Sequence, residues 1–250
     1  MMNNWNKEKN SERDFLYQLN SPSSGAKSKD LRHYCSPVEN QMSSNSCAAN
    51  ATVAALELLH NKKHGNYKDL SRLFVYYNAR HLNGDDDKDG GTYIRNCMEG
   101  LRKFGVCEES DFEFDLSKIL SRPSWLSYQK AYANKINSYY RIDTYGDERK
   151  EMIRHAIDKE HPICFGCVVD KKFQNHWGNG NIDLPTGERE TVGGHAMLIV
   201  GYDNYGDTLI VKNSWSEQWG DKGYCYMPYQ YVEISESGDF WVCYVDGDDL

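Results

Sequence analysis

Four residues spread along the chain have the types that nucleophilic acyl chemistry needs. Cys47 opens the run CAANATVAALELLH, and Gln41 stands six residues before it. His195 lies in GGHA at the head of an apolar run, and Asn213 begins NSWSEQWGDKGY. A free thiol titrates at about 8.5, so it is mostly neutral at pH 7. The first turn of a helix favours the thiolate through unpaired N–H groups and partial positive charge, and a nearby imidazolium favours it further. In this reading Cys47 is the nucleophile and His195 its proton partner. The Asn213 amide oxygen accepts the second ring N–H, and Trp215 shields that bond from water. The Cys47 backbone N–H and the Gln41 side-chain amide supply donors for the oxyanion of a tetrahedral intermediate.

The fold must bring these distant residues together. Helix signals dominate the first half. One helix is expected from Cys47 through His60, with Ser44, Asn45 and Ser46 all capable N-caps. Leu70, Leu73, Phe74 and Tyr77 share a face over 67–80. Ile94, Cys97, Met98 and Leu101 do so over 92–104, with Gly105 as a stop. Further helices are expected after Pro123 and over about 147–160, and a weak one around Phe15 to Leu19. After Pro162 the texture changes. ICFGCVV, HAMLIVGY, TLIVKN, GYCYM and FWVCYV are short apolar runs bounded by Gly, Asp and Asn, and they read as strands. The expected class is α+β, a helical lobe over about 43–140 and a sheet lobe over about 146–250.

Composition limits the alternatives. A chain of 250 residues suits one domain or two lobes around one cleft and can fold without disulfides. Lys and Arg total 29 against 37 acidic residues, a net charge of −8, which argues against a phosphate-contacting surface. No apolar run is long enough to cross a bilayer. Neither nucleic acid nor membrane is therefore an expected partner. MMNNWNKEKNSERDF has no apolar core of a secretory signal, so a cytoplasmic location is the default, with a non-Sec export route left open. The eight thinly spread cysteines are then expected to be reduced. Residues 1–30 are polar and serine-rich and read as an extension ahead of a domain over 31–250.

The three motif segments resemble the papain family of cysteine peptidases. The order Gln, Cys, His, Asn matches, with about 150 residues from Cys to His and about 20 from His to Asn. NSWSEQWGDKGY closely follows the family's NSWG-x-x-WG-x-x-GY pattern, and the likeness runs from about Asp30 to Tyr244. DLRHYCSPVENQ resembles the opening of the bacterial-type branch, which lacks a long propeptide. The resemblance implies a papain-like two-lobed fold, a helical lobe packed on an antiparallel sheet or barrel with the cleft between. It implies peptide-bond cleavage through a thioester acyl-enzyme, with no metal or organic cofactor. Gly90 and Gly91 match the glycine pair whose backbone holds an extended substrate, and Gly194 and Trp215, beside the catalytic positions, complete the expected substrate-binding residues. Two departures stand out. Ser44-Asn45-Ser46-Cys47-Ala48 replaces the common Cys-Gly-Ser-Cys-Trp, removing the cysteine of a common disulfide. Asn45 and Ser216 stand where glycines are usual, a change tolerable at Asn45 if its φ is positive.

Other patterns have plainer readings. Cys164-Phe165-Gly166-Cys167 puts its cysteines on opposite faces of a strand, which suits core packing better than metal binding. Asp85 to Gly90 reads DDDKDG like the start of a calcium loop, but position twelve is Asn96 where a bidentate Glu is needed, so a solvated acidic loop is expected. The sequon Asn50-Ala51-Thr52 falls inside an expected buried helix. His176 and Trp177 lie in a long loop that either rims the cleft or is simply exposed. The expected function is a cysteine peptidase acting on peptide or protein substrates. The same chemistry also supports side-chain deamidation or acyl transfer, and the scaffold can serve as an inactive binding module. Residues 1–30, tethered close to the cleft, are a candidate cover for it.

Overall fold

A computed structural model describes residues 5–21, 24–185, 187–205, 207–234 and 236–247. The ends of the expected extension and of the sheet lobe, residues 1–4 and 248–250, and residues 22–23 lie outside the described residues.

Alanine decides the position of the first helix. In α1, Cys47–His64, every residue from Cys47 to Leu59 is buried. A helix buried all round belongs at the centre of a fold, and α1 packs on the later sheet with one side and on two helices with the other. Two of its buried polar residues are bonded: Thr52 Oγ1 donates to Ala48 O at 3.0 Å, and Glu57 Oε1 accepts Leu70 N–H at 2.9 Å. Gly65 closes α1 in the left-handed conformation, φ 69°. The next helix, α2, Arg72–Asn83, starts later than the apolar spacing suggests. Leu70 is tied to Glu57, and Ser71 Oγ caps α2 by accepting Phe74 N–H at 3.1 Å. Then come α3, Ile94–Lys103, with its expected apolar face buried, α4, Trp125–Ala131, and α5, Gly146–Asp158.

The strands are β1, Ser28–Asp30; β2, Ser138–Ile142; β3, Ile163–Asp170; β4, Thr191–Asp203; β5, Thr208–Lys212; β6, Tyr224–Pro228; and β7, Ser237–Tyr244. Short helices α6, Lys171–Gln174, and α7, Gln230–Glu233, complete the elements. The order across the antiparallel sheet is β2-β7-β3-β4-β5-β6, with β1 added to β4 at Gly201–Asp203. The α+β, papain-like arrangement is as expected, but the sheet is open and does not close into a barrel. No helix among the described residues is long and apolar enough to cross a membrane.

Three elements differ from the sequence reading. The weak helix at Phe15 to Leu19 does not form. Instead Tyr17 N–H donates to Arg141 O and Arg141 N–H to Phe15 O, both at 2.8 Å, so the segment adds strand-like to β2. Strand β2 itself had no signal, because its SYYRI is mostly half-buried and mixed in polarity. The extension is also far from loose: Trp5, Glu8 and Tyr17 are buried, and residues 28–30 are a strand.

Candidate active site

The turn before α1 is built from polar side chains that bond one another. Ser46 caps the helix by position but makes no capping bond; its Oγ pairs with Ser44 Oγ at 2.7 Å and with Asn50 Nδ2 at 2.9 Å. Asn45 N–H donates to Asp89 Oδ1 at 3.1 Å, and Asn45 Nδ2 to Asp89 O at 2.7 Å. Asp89 also accepts Tyr76 Oη–H at 2.5 Å. So the acidic loop clamps the turn that carries Cys47. Wholly buried Arg80 holds that loop, donating to Lys88 O at 2.6 Å. Asn45 does not adopt a positive φ; beside Gln41 and Trp215 that strain falls on Met42, φ 52°, and Ser216, φ 68°.

Gln41 is fixed from two sides. Its backbone N–H donates to Ser214 O at 2.9 Å, and its Oε1 accepts Ser214 Oγ–H at 2.8 Å. Its Nε2 donates one hydrogen to Ser44 O at 2.9 Å, leaving a second for the cavity it helps to line. Upstream, buried Lys212 holds Ser36 Oγ at 2.7 Å and Pro37 O at 3.0 Å, which anchors the approach to Gln41 on β5.

His195 lies on β4, wholly buried, opposite Cys167 of β3. Its Nε2 is 2.7 Å from Asn213 Oδ1. The same Asn213 atom accepts Ser214 N–H at 2.8 Å, which identifies it as the amide oxygen. An amide oxygen only accepts, so Nε2 carries the proton. In the neutral ring Nδ1 is then the acceptor, and it is buried with no hydrogen-bond partner among the described residues. The Trp215 ring stacks on His195 at 4.3 Å between centroids and 24° between planes, covering the bond as expected. Trp219 crosses Trp215 at 5.5 Å and 89°.

The sulfur of Cys47 sits where the backbone N–H groups of Ala196, Ala48 and Cys47 itself stabilise its anion. Ala196 follows His195 directly, so the helix terminus and β4 meet at the thiol. Burial outweighs those donors and pushes the Cys47 thiol up to about 12. Burial likewise brings His195 down to about 4, against its hydrogen bond to Asn213. Burial thus opposes both the thiolate expected from the helix terminus and the imidazolium.

Next to His195 the strand is met by the segment from Trp5. Its N–H donates to Gly194 O at 3.1 Å, and Asn6 N–H donates to Thr92 O at 3.3 Å. Its indole lies flat on Gly166, where a Cβ would stand 2.0 Å from the ring. Indole Nε1 donates to Asp239 Oδ2 at 3.1 Å. The extended pairing falls at Thr92 rather than at Gly91, whose N–H goes to Tyr76 Oη at 3.1 Å, while Gly90 is exposed beside it. On the other side of Gly194 a cavity of about 400 Å³ is lined by Gln41, Val192, Trp215, Trp219 and Trp177. Trp177 is 65% exposed, so its loop does rim the cleft. Asp89, Ser214, Gly166 and Asp239 had not been singled out as site residues from the sequence.

The remaining motifs touch this cluster without adding a group to the chemistry. Cys164 and Cys167 are buried and free like the other buried cysteines, and the Cys164 thiol donates to Ala51 O at 3.5 Å. Asn50 of the sequon is buried. Asp86 is engaged by Tyr77 Oη at 3.0 Å and His81 Nδ1 at 3.0 Å.

A thiol at a helix terminus, an amide-held imidazole on an antiparallel strand and a glutamine at the rim define a cysteine-protease scaffold. The chain belongs to the papain family of cysteine proteases, whose model matches residues 25–238. It is 38% identical over 205 residues to an uncharacterised peptidase C1-like protein of Acanthamoeba polyphaga mimivirus, covering 79% of this chain and 66% of that one. It is 28% identical over 194 residues to cathepsin K of Gallus gallus, covering 76% of this chain and 54% of the relative. The chain thus spans between about half and two thirds of the length of these curated relatives. Among solved structures, xylellain, a cysteine protease from Xylella fastidiosa, superposes with a TM-score of 0.85 at 29% identity, covering 98% of this chain and 96% of that one.

Ser216 offers a test of strain at the cleft. It holds a left-handed backbone at φ 68° where a glycine would be unstrained. Ser216→Gly is expected to stabilise the protein by about 1 kcal/mol, read as a higher urea midpoint at unchanged slope.

Proposed function

We propose that the protein is a cysteine peptidase that hydrolyses peptide bonds in peptide or protein substrates through a thioester acyl-enzyme. Cys47 Sγ gives its proton to His195 Nδ1 and attacks the scissile carbonyl. The oxyanion takes hydrogen bonds from the Cys47 backbone N–H and the free Nε2 hydrogen of Gln41. His195 then protonates the leaving amine, and the carbonyl of the thioester re-forms. His195 next takes a proton from water, which attacks the thioester and releases the acid and the thiol. Asn213 keeps the ring in the tautomer that makes Nδ1 the base. One observation carries this reading: Nε2 is committed to Asn213 at 2.7 Å and Nδ1 is buried and unpartnered, while the N–H of the next residue, Ala196, meets the Cys47 sulfur.

Cys47→Ala is expected to remove hydrolysis of a peptide library and labelling by a thiol-directed epoxide together. Retained hydrolysis would reject the assignment. Gln41→Ala should lower kcat by about 10²–10³-fold, the usual cost of one oxyanion donor, with the thiol still labelled.

We infer further that the N-terminal segment is an intramolecular cover. Trp5 occupies the slot between Gly194 and Gly166 and pairs with the strand-like edge at Thr92, as an extended peptide would. Trp5→Ala removes the indole from the tail, and Gly166→Ala removes its seat from the body. Each is expected to raise kcat/KM toward a small peptide by at least about tenfold, given the worth of one buried tryptophan. No change in either variant would remove the idea.

A further inference from the structure

The contacts that hold the tail to the body are dominated by carboxylates. Glu8, whose side chain is 1% exposed, places Oε1 2.7 Å from Arg95 N–H, capping the first turn of α3, where Tyr93 makes no capping bond. Its Oε2 lies 3.2 Å from Arg95 Nη2 without a well-formed hydrogen bond. Beside it is Asp239 of β7, fully buried, which accepts Glu8 N–H at 2.8 Å and Trp5 Nε1–H at 3.1 Å. Asp239 has a left-handed backbone, φ 55°, unusual for a residue inside a strand. Arg141 of β2 reaches Asp239 Oδ1 at 3.3 Å and Asp14 Oδ2 at 3.4 Å, and Arg95 reaches Asp14 Oδ2 at 2.6 Å.

The charges do not balance. Three buried carboxylates, Glu8, Asp14 and Asp239, face two guanidinium groups, Arg95 and Arg141. At the rim, Asp143 lies 3.9 Å from Arg141 Nε and 2.6 Å from Asn10 Nδ2, and it is a further acid. Lys7, whose Nζ is 3.5 Å from Ser237 O, adds a cation near Asp239 from the tail. Lys9 meets Arg95 through its carbonyl, at 3.2 Å from Nη2. Inside the buried cluster the body alone carries a charge of +1 and the tail adds −2, so docking leaves one negative charge uncompensated in a dry site. A proton removes it.

We propose that the tail is a proton-operated latch: docking takes up a proton on Glu8, so mildly acidic solution closes the cleft and mildly alkaline solution releases it. This rests on the reading of the tail as a cover. The direction follows from the docked and free states of one carboxyl. Burial first, and then repulsion from Asp239, push docked Glu8 up to about 8, against the N–H and charge of Arg95 and the charge of Arg141; its ordinary value is 4.5. A group raised on docking contributes its stabilisation fully below the free value and loses it as pH rises through the docked value. Between about 4.5 and 8 the docking constant therefore falls about tenfold per pH unit.

Hydrogen exchange of the Trp5 and Asn6 amides in the full-length protein, corrected for intrinsic rates, reads docking without any catalysis. Protection should fall about fifty- to a hundredfold from about pH 6 to about pH 8.5 in the wild type. In Glu8→Gln, neutral throughout, it should stay constant. In the wild type, a carbon-13 titration of the Glu8 carboxyl should give a midpoint above 7, independent of any variant. Equal protection at both pH values, or a Glu8 midpoint near 4.5, would overturn the latch and keep the cover. Absence of protection at every pH would remove the cover and the latch with it.

Discussion

The site depends on how closely the first turn of α1 can approach β4. The cysteine sulfur must lie on an N–H of the strand that carries the histidine, and only a thin helix can come that near. Ala51 and Ala54, buried beside Ala196, Met197 and Leu198 of β4, provide it. The approach is close enough for the Cys164 thiol of β3 to reach Ala51 O at 3.5 Å. Larger residues on that face would force α1 away from the sheet and separate thiol from imidazole, whatever residues stood at the other positions. Glu57, holding Leu70 from the far side, and Lys212, holding the segment before Gln41, then set the two flanks of the same contact.

Burial has two consequences at this contact. It gives the hydrogen bonds their strength, because water does not compete for Asn213 or for the N–H groups at the sulfur. It also disfavours charge on either partner, pushing the thiol up and the imidazole down. A raised thiol is not itself a mark of function here, since Cys164 and Cys225 are raised by burial too. What sets Cys47 apart is the group of N–H donors at its sulfur and the unpartnered ring nitrogen one residue from Ala196.

The sequence disclosed this site to different depths. Gln41, Cys47, His195 and Asn213 were legible because each sits at an element boundary whose own signal is strong: a polar turn before alanines, a glycine pair before a strand, a tryptophan-rich turn after one. The buried helices were legible for the same reason, by periodicity. The tail was not, because its polar composition says nothing of a docked state whose contacts are single residues, Trp5, Glu8 and Tyr17, each buried against a distant strand or helix. The Asp85 to Gly90 run was read as solvated, yet Asp89 turns inward to Asn45 and Tyr76. A carboxylate's direction is set by partners far along the chain, which no local pattern records. Strand β2 was missed because its pairing with β7 comes from backbone and not from alternation.

The strained residues point the same way. Of six described non-glycine residues with positive φ, Glu160, Asp207 and Lys222 occupy turns or helix ends, where such a conformation is easily met. Met42, Ser216 and Asp239 border the cleft. Each is overdetermined by neighbours: Met42 N–H is taken by Asn40 Oδ1 at 2.8 Å, Ser216 N–H by Glu39 O at 2.9 Å, and Asp239 by Trp5 and Glu8. Such strain persists only where surrounding contacts insist on it. At Met42 and Ser216 those contacts lie within the body and hold the Gln41 and Trp215 segments against each other. At Asp239 the body itself sets the conformation: β7 shifts register against β3 between Cys164 and Gly166, so that Asp239 and Phe240 together oppose Phe165, and the bulge turns the carboxylate toward Arg141 of β2, 3.3 Å away, as well as toward the tail.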